Sequence, residues 1–332
     1  MMKTKRRTYC IEKSNSNKNF IQYMNKQQII DWLLEGDVSI QYQVWRDLLG
    51  IDNKQLQNRI AHEGWGQQYL SKRNSDGQWG DRFYQPKWKS THYTLLDLRN
   101  VHLPSNNEIV QETIEQVLQH NKADDGGIRL GPSTTQHSDV CVNGMFLNYA
   151  SYFKTSEKKL HSIIDCVLHE IMTDGGFNCR STRSKVKHSS LHTTISVLEG
   201  LTEFQKAEYT YRKAEILNAI QSSIEFILLH QLFISDRTGQ IIHKDFLKLT
   251  YPCRWKYDIL RAMDFFQYAG IKWDNRMNAA IDVLKSKRTI EGTWNMQPAH
   301  AGKVHFTMEK AGKPSRWNTL RTLRVMKYFE IE

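Results

Sequence analysis

The chain has 332 residues, enough for one large domain or two modest ones. A mean hydropathy of −0.61 and the lack of any run of about 18 apolar residues argue against a spanning helix. A net charge of +11 predicts attraction to anions such as diphosphates or anionic lipid. The basic residues are spread along the chain without a nucleic-acid-binding signature, so no specific nucleic-acid binding is expected.

Residues 1–25 are polar and basic and read as a flexible arm ahead of a single domain over 26–332, with a short helix as the alternative. No apolar stretch of signal-peptide length follows Met1–Arg7, which points to the cytoplasm. Five cysteines without framework spacing read as thiols or ligands rather than disulfides. An amphipathic helix begins at Gln27 and stops at Gly36. A second runs from Ser39 to Leu49 and stops at Gly50.

A repeat follows. Loop glycines fall at Gly77, Gly126, Gly175, Gly239 and Gly292, at intervals of 49, 49, 64 and 53 residues. Apolar helices are predicted to start near Ser39, Ser90, Ser138, Ser190, Arg254 and Ser315, with amphipathic partners from Gln27, Asn53, Asn107, Glu157, Arg212 and Asp274. Six hairpins without β alternation predict an all-α fold, an (α/α)6 toroid with the apolar helices inside and their starts at one mouth. An open right-handed solenoid is the competing arrangement.

The loops Asp-Gly-Gln-Trp-Gly (76–80), Asp-Gly-Gly-Ile (125–128), Asp-Gly-Gly-Phe-Asn-Cys (174–179) and Glu-Gly-Thr-Trp (291–294) resemble the repeats of protein prenyltransferase β subunits and squalene-hopene-type cyclases, over roughly residues 27–330. Working zinc sites take three ligands from His, Cys and carboxylate. Asp139, Cys141 and His192 make such a set at like positions of two consecutive inner helices, Cys141 lying 15 residues after Gly126 and His192 17 after Gly175. The resemblance implies the same triple: an Asp-x-Cys opening one inner helix and a His-Thr opening the next hold Zn2+, which activates a thiol or another soft nucleophile for transfer to an isoprenoid-like substrate. The competing reading makes Asp139 a cap, Cys141 a core residue and His192 a satisfied buried histidine. The family's diphosphate-binding Arg and Lys correspond to Ser133 and Gln136, and its aromatics after the Cys to Val142 and Met145. Arg129, Arg180, Arg183, Lys185 and Lys187 offer loop charge instead. The partner subunit of the prenyltransferases has no counterpart signal, and the cyclases' Asp-x-Asp-Asp acid is missing.

Inner-helix starts place Tyr42, Lys87, Trp88, His92, Tyr93, His188, Arg254, Trp255, Tyr257, Asp258, Arg316, Trp317 and Asn318 at the mouth. A polar, aromatic rim above an apolar ring suits a hydrophobic or anionic small molecule. Arg254 and Arg316 are candidates to grip an anion or to tie helix ends to loops, and Trp79 and Trp294 are expected to pack repeat on repeat. Cys179 is a candidate fourth ligand or redox-sensitive neighbour. The insertion from His300 to Pro314 is a candidate flap over the mouth. Three functions compete: a zinc-dependent transferase, a non-catalytic lipid-binding toroid, and a carbohydrate-active toroid working through paired carboxylates, for which Asp139 and Asp258 are the mouth candidates.

Overall fold

The computed structural model describes residues 24–131, 137–179 and 186–332. The arm expected over 1–25 therefore lies, up to residue 23, outside the described residues. The described chain is all-α, relieved by a two-residue antiparallel pair, β1 (Trp294–Asn295) and β2 (Pro314–Ser315).

The helices are α1 (Lys26–Leu34), α2 (Val38–Gln43, continued by a π turn over Val44–Leu48), α3 (Lys54–Arg59), α4 (Gly64–Leu70), α5 (Thr91–Asn100), α6 (Glu108–His120) and α7 (Val140–Tyr152). They continue with α8 (Glu157–His169), α9 (Leu191–Lys206), α10 (Lys213–Leu229), α11 (Ile259–Tyr268), α12 (Asn278–Ser286) and α13 (Arg316–Tyr328). The partner helix expected from Asn53 is split in two. Gly64 opens α4 in the left-handed region (φ +59°), and Asp37 accepts the Trp65 N–H at 2.8 Å, which pins the break. The helix expected from Arg254 starts instead at Ile259, because Asp258 is its N-cap and accepts from the Arg261 N–H at 2.8 Å.

Two helix types follow from two patterns. α6 buries Val110, Thr113, Ile114, Val117 and Leu118, and α8 buries Leu160, Ile163, Ile164 and Val167, the one-sided stripe of a helix with a wet outer face. α7 is buried at every position from Val142 to Ser151, as a helix covered on all sides must be. It crosses α9 at glycines: a Cβ on Gly200 would lie 2.2 Å from the Gly144 carbonyl oxygen, so only glycine permits this approach.

The repeated loops are clamps. Gly77, Gly126, Gly175 and Gly292 all sit at φ between +83° and +88°, a turn that glycine adopts without strain. The buried residue after each turn donates its N–H to the following inner helix: Trp79 to Thr91 Oγ1 (2.9 Å), Ile128 to Asn143 Oδ1 (2.8 Å), Phe177 to Thr194 Oγ1 (3.0 Å) and Trp294 to Thr319 Oγ1 (3.0 Å). Three of the glycine carbonyls accept a hydroxyl from the next outer helix, from Thr113, Ser162 and Ser223. The motif is thus explained by hairpin-to-hairpin attachment. The chain also returns on itself: in α13, Arg316 Nε donates to the Trp32 carbonyl at 2.9 Å, and Lys327 Nζ reaches the Asp47 and Leu48 carbonyls at the end of the first hairpin.

Candidate functional site

The start of the inner helices, where the sequence places the site, is occupied by packing. A strap over residues 296–313 crosses it. Trp88 Nε1 donates to the Ala301 carbonyl at 2.9 Å, Lys303 donates its N–H to the Lys87 carbonyl at 2.7 Å, and His305 Nε2 meets Thr94 Oγ1 at 2.9 Å. Phe306 packs on Tyr69 with ring centroids 4.7 Å apart. Below it His92 is fully buried, 3.2 Å from the Tyr149 hydroxyl, and burial together with the Lys87 charge drives its pKa down to about 3. Tyr93 and Tyr84 share a hydroxyl contact of 2.8 Å. Among the described residues, the space expected to be an apolar ring beneath a polar mouth is lined largely by charged side chains.

The zinc set does not assemble. Among the described residues no three His, Cys, Asp or Glu side chains are gathered as metal ligands. Asp139 is the N-cap residue of α7. Cys141 lies against Cys179. His192 turns toward α11: its Nδ1 accepts the Tyr257 N–H at 2.8 Å and its ring lies edge-on between Phe246 and Trp255. Equivalent repeat positions did not give convergent side chains: Cys141 meets Cys179, whereas His192 meets the Tyr257 N–H. His192, Tyr257 and Asp258 instead line a small pocket of about 80 Å³ with His243 and His300. Of the remaining rim residues, Tyr42 donates to Asp52, Arg316 stacks on Trp32, and His188 is exposed. Ser133, Gln136, Arg180, Arg183 and Lys185 lie outside the described residues.

A cavity of about 320 Å³ lies among the later turns of α2, α5, α7 and α11, the residues ahead of α11 (Tyr251, Cys253 and Arg254), and α13 from Trp317 to Arg324. Six arginines line it (Arg46, Arg99, Arg254, Arg261, Arg321 and Arg324) against three carboxylates (Asp47, Glu199 and Asp264). Two more carboxylates pair from behind the wall, Glu203 with Arg99 and Asp97 with Arg254. A network holds these groups in place. Asp264 accepts from Arg321 Nε (3.0 Å) and Arg324 Nε (2.5 Å), Arg324 reaches on to Asp47 (3.0 Å), and Asp47 binds Arg46. Glu199 takes both Nε and Nη2 of Arg261, at 2.8 and 2.7 Å. Burial opposes ionisation of Asp264, but Arg324 and Arg321 outweigh it and hold its carboxyl below the ordinary range. Burial, reinforced by Arg46, keeps His102 neutral.

Four buried polar atoms on residues of this wall have no protein partner among the described residues: Arg99 Nε, Arg321 Nη1, Trp317 Nε1 and Asn148 Oδ1. Three are donors and one is an acceptor. Trp317 forms the centre of a stack, with Tyr251 at 4.3 Å and Trp65 at 5.6 Å, and with Tyr251 and Tyr268 it gives the wall aromatic surfaces. An outer basin shares Arg46, His102 and Tyr268 with the cavity and adds Lys54, Lys154 and Lys206. Of the residues singled out in the sequence, Arg254 and Trp317 line the cavity and Tyr42 lines the basin. Arg46, Arg99, Arg261, Arg321 and Arg324 were missed. Their signal was charge within helices whose burial should have excluded it.

No family model matches the chain, and no curated protein matches it. Among solved structures, a polysaccharide lyase superposes over 91% of this chain and 96% of its own, with a TM-score of 0.48 at 12% identity. The resemblance to prenyltransferases and squalene-hopene-type cyclases does not hold: the loops that suggested it are the clamp turns described above, and no family model supports it. No helix among the described residues is long and apolar enough to cross a membrane.

Proposed function

We propose that residues 26–332 form one closed (α/α)6 toroid that binds an acidic carbohydrate in the arginine-lined cavity along its axis, entered through the outer basin. The ring closure rests on the contacts of α13 with the first hairpin. The ligand class rests on one observation above all: buried, partnerless donors outnumber acceptors on a wall of six guanidiniums. Such a wall suits a ligand rich in oxygen acceptors and carrying negative charge. A charged wall of this kind disfavours an isoprenoid, whose apolar body would strip water from the arginines without replacing their hydrogen bonds.

The lining carboxylates Asp47, Glu199 and Asp264 are each committed to an arginine. Hydrolysis by an acid and base pair of carboxylates is therefore not the chemistry this wall favours; holding and neutralising an acidic group is. Calorimetric titration with an oligouronate and with its neutral hexose counterpart tests the reading. The acidic ligand is expected to bind, more weakly as salt rises, and the neutral one to bind at least tenfold less tightly. Equal binding of the two, or none of either, would overturn it. Chromatography of the recovered oligosaccharide reads turnover in the same samples.

A further inference from the structure

Away from the cavity, two cysteines from different hairpins meet. Cys141 lies in the first turn of α7, and Cys179 follows the Gly175 turn that leads to α9, 38 residues later. The Cys141 N–H points at Cys179 Sγ at 3.0 Å, and the two thiols are hydrogen-bonded to each other. Cys179 also engages Thr193, donating its own N–H to Oγ1 at 3.2 Å, and the Lys87 ammonium lies near Cys141. Both residues are half-buried and neither is in a disulfide.

The asymmetry of the pair assigns the roles. A neighbouring thiol, a threonine and a backbone N–H from the start of a 13-residue helix favour negative charge on the Cys179 sulfur and together outweigh the burial that opposes it. Cys141 is the donor in that arrangement and stays protonated. Cys166 contacts Ser138 and Asn143, and Cys253 is buried beside Asp258; neither has a sulfur partner among the described residues.

We propose that Cys179 and Cys141 form a peroxide-reactive dithiol, with Cys179 the attacking and Cys141 the resolving thiol. The Cys179 thiolate attacks one peroxide oxygen, the O–O bond breaks, and hydroxide leaves, so that Cys179 becomes a sulfenic acid. Cys141 then attacks that sulfur: the S–S bond forms, the S–O bond breaks, and the Cys141 proton leaves with the departing oxygen as water. The two thiols are oxidised by two electrons and hydrogen peroxide is reduced to two waters. The product ties α7 to the turn preceding α9, a crosslink expected to raise the melting temperature.

The test exposes the full chain to a small excess of hydrogen peroxide, followed by thiol counting in denaturant and peptide mapping without reductant. Two of the five thiols are expected to disappear first, a single crosslinked pair containing Cys141 and Cys179 to appear, and dithiothreitol to restore both. In Cys141→Ser, a dimedone adduct is expected at Cys179; in Cys179→Ser, thiol loss at Cys141 slows at least tenfold. A crosslink through other cysteines, loss of Cys166 or Cys253 at the same rate as the pair, or an unchanged rate in Cys179→Ser would overturn the proposal. The map of the unsubstituted chain decides the matter even if a serine variant fails to fold.

Discussion

Two polar regions of the molecule use their residues to opposite purposes. At the packed end, ahead of and along α5, histidines, tyrosines and tryptophans are engaged by one another and by the strap: Trp88 by the Ala301 carbonyl, Thr94 by His305, His92 by Tyr149. At the charged end, arginines and carboxylates surround a cavity, and some of their hydrogen-bonding capacity is left unused. Buried polar atoms without a protein partner among the described residues occur in both regions, His92 Nε2 in the first and Arg99 Nε and Arg321 Nη1 in the second. Those of the second belong to residues that line a cavity, and that is what makes them candidates to meet a ligand.

The largest expected effect tests whether the charged end is one network. Asp264→Ala leaves Arg321 and Arg324 buried without their shared carboxylate, and a loss of about 3–5 kcal/mol is expected in urea denaturation. An unchanged midpoint would mean that the arginines repair themselves from solvent. At the packed end, Trp88→Ala is expected to cost about 3 kcal/mol by removing a buried ring that anchors the strap, while affinity for an oligouronate stays within about twofold. A large loss of affinity there would erase the distinction between the ends.

The packed end also predicts a pH dependence. Folded His92 stays neutral down to about pH 3, whereas in the unfolded chain it takes a proton near 6.5. Between those values the unfolded state binds more protons, so stability is lost as pH falls from 6.5 toward 3. The contribution is on the order of 1.4 kcal/mol per pH unit for a fully buried group. His92→Gln should flatten the stability profile in that window; an unchanged slope would show that the imidazole is not held neutral. At the charged end, Arg46→Gln is expected to weaken oligouronate binding about tenfold, or about 1.4 kcal/mol, with little change in melting temperature because the side chain is partly exposed. Smallest of all, His188→Ala at the exposed rim should change stability by less than about 0.5 kcal/mol and leave binding unaltered.

Much of the architecture was legible in the residues themselves. The stripe Val110, Ile114, Val117 and the continuous burial from Val142 to Ser151 distinguish outer from inner helices by pattern alone. The turn glycines mark where hairpins join, since only a residue free to take positive φ serves there. Element boundaries moved where a cap or a break was set from far along the chain, as when Asp37 fixed the start of α4.

The site was not legible, for a reason that Cys141 and His192 make plain. Repetition determined that they occupy like positions, but the azimuth of each helix and the neighbour it faces determined that Cys141 meets Cys179 while His192 meets the Tyr257 N–H. In the same way, the sequence by itself determined that α13 carries Arg316, Arg321 and Arg324. Only the tertiary structure decided that Arg316 ties the last helix to the first, whereas Arg321 and Arg324 turn inward on Asp264. Local periodicity specifies burial because it acts within one helix; convergence of side chains at a cavity depends on the mutual rotation of several helices, which no single stretch of chain encodes.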